Sequence, residues 1–304
     1  MSKVRNILVV SHTAQPDSLE ACVEVCHHLR DAGVTPVLRD IEHDAVAAAA
    51  PDLSDLAVLG DGVSLTDLEC AIVLGGDGTI LRAAEALHGA DVPLVGINLG
   101  RVGFLAEAER SGMTETVARV LAGDYTLEKR STLDVRVFHG DTQAFHTWAL
   151  NEAAIEKMAS RMLEVVIGVD QRPLSSFGCD GVVVATPTGS TAYAFSAGGP
   201  VVWPTVSAMV LVPLSAHALF ARPLVTAPTS TIVVEVEAHS APGVLTCDGR
   251  RTFELAPGAR IVITTSDVAI TLARVHNESF TDRLVSKFDL PVTGWRGPGG
   301  VGRE

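Results

Sequence analysis

Hydrophobic and polar positions follow two different rhythms along this chain, and the change falls near residue 132. In the first part, unbroken apolar runs of strand length alternate with helical stretches. Asn6 to Ser11 is one such run, and Ser18 to Ala32 follows as a helix that Ser18 can cap and Gly33 can close. Val34 to Leu38 reads as a second strand. Cys70 to Leu74 is a third; it breaks at Gly75-Gly76-Asp77-Gly78-Thr79 into a helix of Ile, Leu, Ala, Glu and Arg that runs to Leu87. Val92 to Asn98 is a fourth. Apolar strands without alternation, set between helices, are strands buried on both faces, so this part is an α/β domain around a parallel sheet. Asp40 to Leu68, acidic and alanine-rich with no clear period, reads as a variable segment whose middle is a mobile surface stretch.

From Thr132 the period becomes two. Leu133 to Val137, Thr231 to Glu237 and Arg260 to Thr264 all alternate, and short strands separated by Gly, Pro and Asp turns fill most of the remainder. That part is β-rich, a sandwich or layered sheets. The expected division is an α/β domain over 1–131 and a β-rich domain over 132–295, with the polar, glycine-rich stretch 296–304 as a flexible tail.

Composition narrows the function. With 304 residues, 47% of them hydrophobic, the chain can bury two cores. Its 36 acidic against 23 basic residues leave a net charge of −13, which argues against a nucleic-acid surface. Anionic nucleotides would have to be held by local backbone dipoles and a metal. The five cysteines are odd in number and lack a Cys-x-x-Cys pair, so neither a disulfide framework nor a zinc site is suggested and a reducing cytoplasm is the simple reading. The N-terminal apolar run is too short for a signal peptide, and Val206 to Val225 is interrupted by Pro213, His217, Arg222 and Pro223, which reads as buried core and not as a membrane span.

The chemistry gathers first at Gly75 to Thr79. Three glycines let the backbone approach a ligand, and the helix that follows offers free N–H groups and the positive end of its dipole to phosphates. Asp77 is the odd member, since a bare carboxylate among phosphates is repelled unless it works on a hydroxyl or holds a metal. The loop lacks the lysine of a P-loop and the spacing of a dinucleotide fingerprint, and a tight connection of no chemical meaning stays open. Gly100-Arg101-Val102-Gly103-Phe104-Leu105 ends the next strand in a second glycine loop. In an open α/β sheet both loops face one crevice, where Phe104 either stacks on a base or serves the core.

In the second part, Asn151-Glu152 places an amide and a carboxylate at a strand end, uninformative alone. Thr186 to Pro200, rich in hydroxyls and glycine and carrying Tyr193, has the makings of a nucleotide wall, although a flexible linker has a similar composition. Cys247-Asp248-Gly249-Arg250 reads as a hairpin turn. Covalent hydrolase chemistry fits poorly, because Gly189-Ser190-Thr191-Ala192 lacks the spacing of a nucleophile elbow and no histidine pair has metal-ligand spacing on a helix.

Together these residues resemble the NAD kinases. The resemblance runs from about Asn6 to Trp295 and rests on Gly75 to Thr79, Asn98 to Leu105, Asn151-Glu152, Asp180-Gly181, Thr186 to Pro200 and Asp248-Gly249. The Gly-Gly-Asp-Gly loop is shared with phosphofructokinases and diacylglycerol kinases; Thr186 to Tyr193 with Asn151-Glu152 is far more particular. The resemblance implies a Rossmann-like α/β domain, a C-terminal β-sandwich-like domain and a homo-oligomer, a tetramer or dimer. It implies phosphoryl transfer from ATP or inorganic polyphosphate to the adenosine ribose 2′-hydroxyl of NAD, giving NADP, with Mg²⁺ on the donor.

Asp77 is then the reacting carboxylate, with Gly75, Gly76, Gly78, Thr79 and Arg82 around the phosphates. Asn151 and Glu152 hold the adenosine, Thr191, Ala192 and Tyr193 line its adenine with Phe104 near by, and Asp180 lies toward the nicotinamide ribose. Thr188 and Ser196 belong to the same binding set, and no side chain is assigned as a metal ligand. Two alternatives are a lipid or sugar kinase sharing the loop, which would call for an apolar mouth or a basic membrane face, and a dinucleotide sensor, which would gain nothing from Asp77.

Overall fold

The wholly buried strand Asn6–Ser11 is the centre of a parallel sheet. The computed structural model describes residues 4–100, 103–276 and 278–292. The chain divides into two units, one of Met1–Glu128 with Thr271–Glu304 and the other of Lys129–Ile270.

In the first unit the strand order is Gly62–Val63, Ala57–Leu59, Thr35–Leu38, Asn6–Ser11, Leu68–Leu74, Leu94–Asn98, Ile270–Arg274, with Thr126–Arg130 at the far edge where the chain leaves the unit. Ala108–Glu109 forms a short extra parallel rung beside Leu94–Asn98. Ile7, Val9, Ile72, Leu74, Val95 and Ile97 share one core with Cys22, Val25, Cys26 and Leu29 of the helix Pro16–Asp31. After Asn6–Ser11 the chain crosses to Thr35–Leu38 on one side, and after Leu68–Leu74 it crosses to Leu94–Asn98 on the other. These two strands are neighbours, so their carboxyl ends flank a topological switch point, the place where open α/β sheets bind ligands.

Three expectations change. The first helix begins at Pro16 with Gln15 as its cap, not at Ser18, because proline presets the first helical φ; Ser18 lies inside, buried, its carbonyl accepting from the Ser11 hydroxyl at 2.9 Å. Asp40 to Leu68 is not a structureless surface stretch. It forms the helix Asp40–Ala49, a single 3₁₀ turn at Pro51–Leu53 and the two edge strands, anchored by fully buried Val46 and Leu53. Buried Glu42, paired with Arg39, disguises this pattern as acidic surface. Finally, a cut at 131/132 with 132–295 in one domain differs from the observed division, because Ile270–Arg274 pairs parallel with Leu94–Asn98 and the helix Phe280–Phe288 follows it in the first unit. The stretch 296–304 lies outside the described residues.

The second unit holds two six-stranded antiparallel sheets. One runs Thr142–Ala149, Leu133–His139, Ala259–Thr265, Ile232–Val236, Leu163–Val169, Arg172–Cys179; the other runs Leu224–Thr226, Met209–Leu214, Gly181–Ala185, Glu152–Lys157, Gly243–Cys247, Arg251–Leu255. Alternate residues of both, Val135, Ile261 and Val165 from one and Ile155, Val182 and Leu245 from the other, form one core, which is a β-sandwich. Against the outer face of the second sheet, at Val183, Val210 and Val212, pack Ala194, Tyr193 and Ala197 of the hydroxyl-rich segment. Among the described residues no helix is long and apolar enough to cross a membrane.

Candidate functional site

At the switch point, Leu68–Leu74 runs out into Gly75 at φ +146°, where a Cβ would lie 2.5 Å from Thr79 Oγ1. Only glycine fits there. The helix Asp77–Ala86 starts with Gly76 as a cap that contributes no side-chain hydrogen bond; the Thr79 and Ile80 amides donate to the Gly76 carbonyl at 2.8 and 3.2 Å, and those of Asp77 and Gly78 stand outside the helix's own ladder, open to a ligand. Arg82 Nη2 donates to Thr79 Oγ1 at 3.2 Å, which brings Thr79 and Arg82 together beside Gly75, and Gly78 is exposed.

Asp77 opens the helix and is held from the other glycine loop. Its Oδ2 accepts from the Phe104 N–H and its Oδ1 from the Leu105 N–H, both at 3.1 Å. The approach is close enough that a Cβ on Gly103 would lie 2.4 Å from Oδ1. The two loops expected to share a cleft therefore meet at this carboxylate, and two amides fix its direction while leaving it lone pairs for a hydroxyl.

Of the two surroundings weighed for Phe104, the core describes what is seen: the residue is 7% exposed and its ring 5.9 Å, centroid to centroid, from both Phe280 and Phe288. Its backbone is clamped as well. Arg283 Nη1 donates to the carbonyls of Phe104 and Ala106 and Nη2 to Glu107 Oε1, each at 2.9 Å, and buried Glu107 also pairs with Arg274. None of Glu107, Arg274 and Arg283 was singled out from the sequence. Only Arg274 carries a sequence signal, a charge within the apolar stretch 270–275; Glu107 and Arg283 stand among other charged residues.

In the second unit Asn151 and Glu152 sit at the start of Glu152–Lys157, both buried. Thr186 Oγ1 donates to the Leu150 carbonyl at 2.6 Å and the Thr186 N–H to the Asn151 carbonyl at 2.9 Å. Gly189 presses on the same strand end, where a Cβ would fall 1.9 Å from the Asn151 carbonyl oxygen. Thr188 turns inward and accepts from Arg130 at 3.4 Å, while Thr191 Oγ1 donates to the Thr188 carbonyl at 3.2 Å and the Ala192 N–H to the Gly189 carbonyl at 2.9 Å. The Thr186–Pro200 segment is thus a hydrogen-bonded loop and not a linker. Glu152 Oε2 is buried and has no hydrogen-bond partner. Burial first, and the neighbouring Asp248 carboxylate second, push the Glu152 carboxyl up to about 7 against the pull of the Tyr193 N–H.

Beside this segment lies an open cleft of about 550 Å³, walled by Glu156, Lys157, Asp180, Tyr193, Ser196 and Ser215. Tyr193 donates its hydroxyl to Glu156 Oε1 at 2.7 Å, and burial, then this partner, push its phenol up to about 12. Lys157 pairs with Asp180 and, with the Ser215 hydroxyl, holds that carboxyl below its ordinary value. Asp180, Tyr193 and Ser196 therefore share one polar wall. Glu156, Lys157 and Ser215 complete it and were not anticipated.

A switch-point loop with one aimed carboxylate, and a β unit with a ring-and-hydroxyl cleft, define an enzyme of phosphoryl transfer built on a Gly-Gly-Asp-Gly loop. Residues 7–125 match the family model of the ATP-NAD kinase N-terminal domain, and 150–275 that of the ATP-NAD kinase C-terminal domain. The chain belongs to the NAD kinase family. It is 58% identical to the NAD kinase of Leifsonia xyli over 302 residues, 99% of each chain, and 52% identical to NAD kinase 2 of Streptomyces coelicolor over 97% of this chain and 98% of that one. Among solved structures, an NAD kinase from Archaeoglobus fulgidus in complex with ATP matches with a TM-score of 0.69 and 25% identity, covering 94% of this chain and 99% of that one. The yeast NADH kinase complexed with NADH shares the fold, with a TM-score of 0.84 at 23% identity over 97% of this chain and 89% of its own.

Proposed function

We propose that this chain phosphorylates the adenosine ribose 2′-hydroxyl of NAD, giving NADP, with ATP or inorganic polyphosphate as donor. The observation that carries the mechanism is the Asp77 carboxylate, held by two backbone amides at the mouth of a phosphate-binding loop. Phosphoryl transfer is mainly positioning and charge neutralisation, with one group to orient the hydroxyl and take its proton. Asp77 takes that role. The amides of Gly76 and Gly78, the Thr79 hydroxyl and the Arg82 guanidinium serve the donor phosphates.

In the second unit, Asn151 and Glu152 hold the adenosine, Thr191, Ala192 and Tyr193 its adenine, and Asp180 with Ser196 the nicotinamide side. The buried, unpaired Glu152 oxygen supports this, because it calls for a donor such as a ribose hydroxyl or an amino group.

Among the described residues no group of three or more His, Cys, Asp or Glu side chains gathers into a metal cage. Magnesium carried by a nucleotide needs none, since it keeps waters and phosphate oxygens and takes one carboxylate or two. When bound it would neutralise the donor's charge. Cytoplasmic residence accords with five buried, unpaired thiols, three of which, Cys70, Cys179 and Cys247, burial pushes up to about 12. Assembly into a tetramer or dimer belongs to the same reading, with exposed Leu219 and Phe220 as apolar surface to cover, and light scattering of the purified chain reads it directly.

Mass spectrometry of NAD incubated with the protein, ATP and Mg²⁺ tests the proposal. A gain of one phosphate on NAD, with none on a diacylglycerol offered in its place, is the expected result. Unchanged NAD would overturn the assignment in favour of a sensor.

A further inference from the structure

Asp248 lies in the three-residue turn 248–250 between Gly243–Cys247 and Arg251–Leu255, where a hairpin needs positive φ and little else. Asp248 and Gly249 meet that need at φ +54° and +65°. An ordinary turn aspartate points into water. The side chain of Asp248 is 1% exposed and spends its oxygens on the distant strand end: Oδ2 accepts from the Leu150 N–H at 2.9 Å, and Oδ1 from the N–H groups of Asn151 at 2.7 Å and Glu152 at 3.3 Å. Its own N–H donates back to the Glu152 carbonyl at 3.0 Å. Arg251 Nη2 pairs with Oδ2 at 2.7 Å and donates to the Trp148 carbonyl at 2.9 Å, and the guanidinium Cζ lies 4.5 Å from the centroid of the Trp148 ring.

We propose that Asp248 is a positioning residue for the dinucleotide: it locks the backbone of 150–152 so that Asn151 and Glu152 meet the ligand already in place. Burying a carboxylate costs several kcal/mol unless it is fully engaged, and closing a hairpin does not require one. The return on that cost lies next door. Glu152 keeps one oxygen buried and without a partner, a state an unrestrained strand end would relieve by turning toward water. Held by three amide hydrogen bonds, the strand end stays put and the unpaired oxygen waits for a donor on the ligand, which lowers the ordering cost of binding.

This inference rests on the reading of Asn151 and Glu152 as dinucleotide ligands. The groups that bear on Glu152 are Asp248, which disfavours its ionised form, and the Tyr193 N–H, which favours it; Arg251 offsets the charge of Asp248.

The test is steady-state kinetics on the full-length chain, from about pH 5.5 to about pH 9. Asp248→Asn should raise KM for NAD about tenfold, the worth of one hydrogen bond to a charged group, and leave KM for ATP and kcat within about twofold. It should also move the pH break in KM for NAD downward. Arg251→Met, which keeps the carboxylate and its three amides, should raise KM for NAD less and move the break upward. In an Asn151→Ala, Glu152→Gln background Asp248→Asn should add little, since it acts through those two residues.

A folded Asp248→Asn with wild-type KM for NAD and an unmoved break, or an equal loss in both KM values and kcat, would overturn the proposal. Should Asp248→Asn lose its cooperative melt, Arg251→Met decides by the same criteria. Asn151→Ala and Glu152→Gln serve as controls: if neither changes KM for NAD, the underlying ligand assignment fails first and takes this inference with it.

Discussion

Asp77 and Glu152 are both carboxylates, and their surroundings assign them opposite work. Asp77 is partly exposed, and both its oxygens are engaged by N–H groups, so it is fixed in direction and able to act on a hydroxyl. Replacing it by Asn keeps the volume and removes the base. Asp77→Asn should bind NAD near wild-type affinity by calorimetry while kcat falls by about 10²- to 10⁴-fold, the usual worth of a general base.

Glu152 instead carries a stability signature. Its folded pKa of about 7 lies above the ordinary carboxyl value of 4.5, so between those values the native state binds a proton that the unfolded chain has released. Stability therefore falls as pH rises from the unfolded pKa through the folded one, by about 3 kcal/mol in all. In ligand-free protein, Tm should drop less between about pH 5 and about pH 8 for Glu152→Gln than for the wild type, and the variant should be the more stable at the upper end. Equal slopes in thermal melts would remove the claim that Glu152 is buried at the cost of its ionisation.

At the scale of elements, the site depends on where two loops approach. Gly103 lies against Asp77, whereas Gly100, in the same loop, has open space at its Cβ position. Gly103→Ala should push the Asp77 carboxylate off its two amides and cut kcat by about 10²-fold, as displacements of about 1 Å do, while Gly100→Ala leaves kcat within about twofold. Comparable kcat values for the two variants would show that the carboxylate's direction is immaterial.

Much at this scale was legible in the sequence. Strand, glycine turn and helix over 68–86, and the period-two strands of the second half, follow from local patterns that act within a few residues. Asp40 to Leu68 was not, because its few buried anchors stand among alanines and a buried Glu42 whose Arg39 partner makes it look solvated. Phe104 was undecidable for another reason. An aromatic in a glycine loop can face ligand or core, and the choice here was made by Phe280 and Phe288, contributed from nearly two hundred residues on.

At the scale of the whole chain, the segment after the β-sandwich returns to the first unit and secures its second glycine loop. Arg283, 4% exposed at its side chain, holds two carbonyls of that loop and shares Glu107 with Arg274. Arg283→Met leaves buried Glu107 half-compensated and two carbonyls without their donor. It should destabilise the first unit by about 3 kcal/mol. Hydrogen exchange by mass spectrometry should then speed up over 104–107, including the Phe104 and Leu105 amides that aim Asp77; protection at wild-type level there would show the clamp to be dispensable.

What the sequence by itself determined is what local physics sets: the parallel α/β half, the antiparallel β half, the glycine loop with its lone acid, and the hydroxyl-rich wall with its tyrosine. Apolar period, turn chemistry and helix ends are read within about ten residues, and those readings need no partner. Only the tertiary structure decided that the last strand and helix belong with the first unit, that Asp77 is aimed by amides from another loop, and that a hairpin aspartate braces a strand end 97 residues earlier. Such pairings depend on which distant buried group can satisfy which other. Burial makes the match obligatory, but no periodicity along the chain records it.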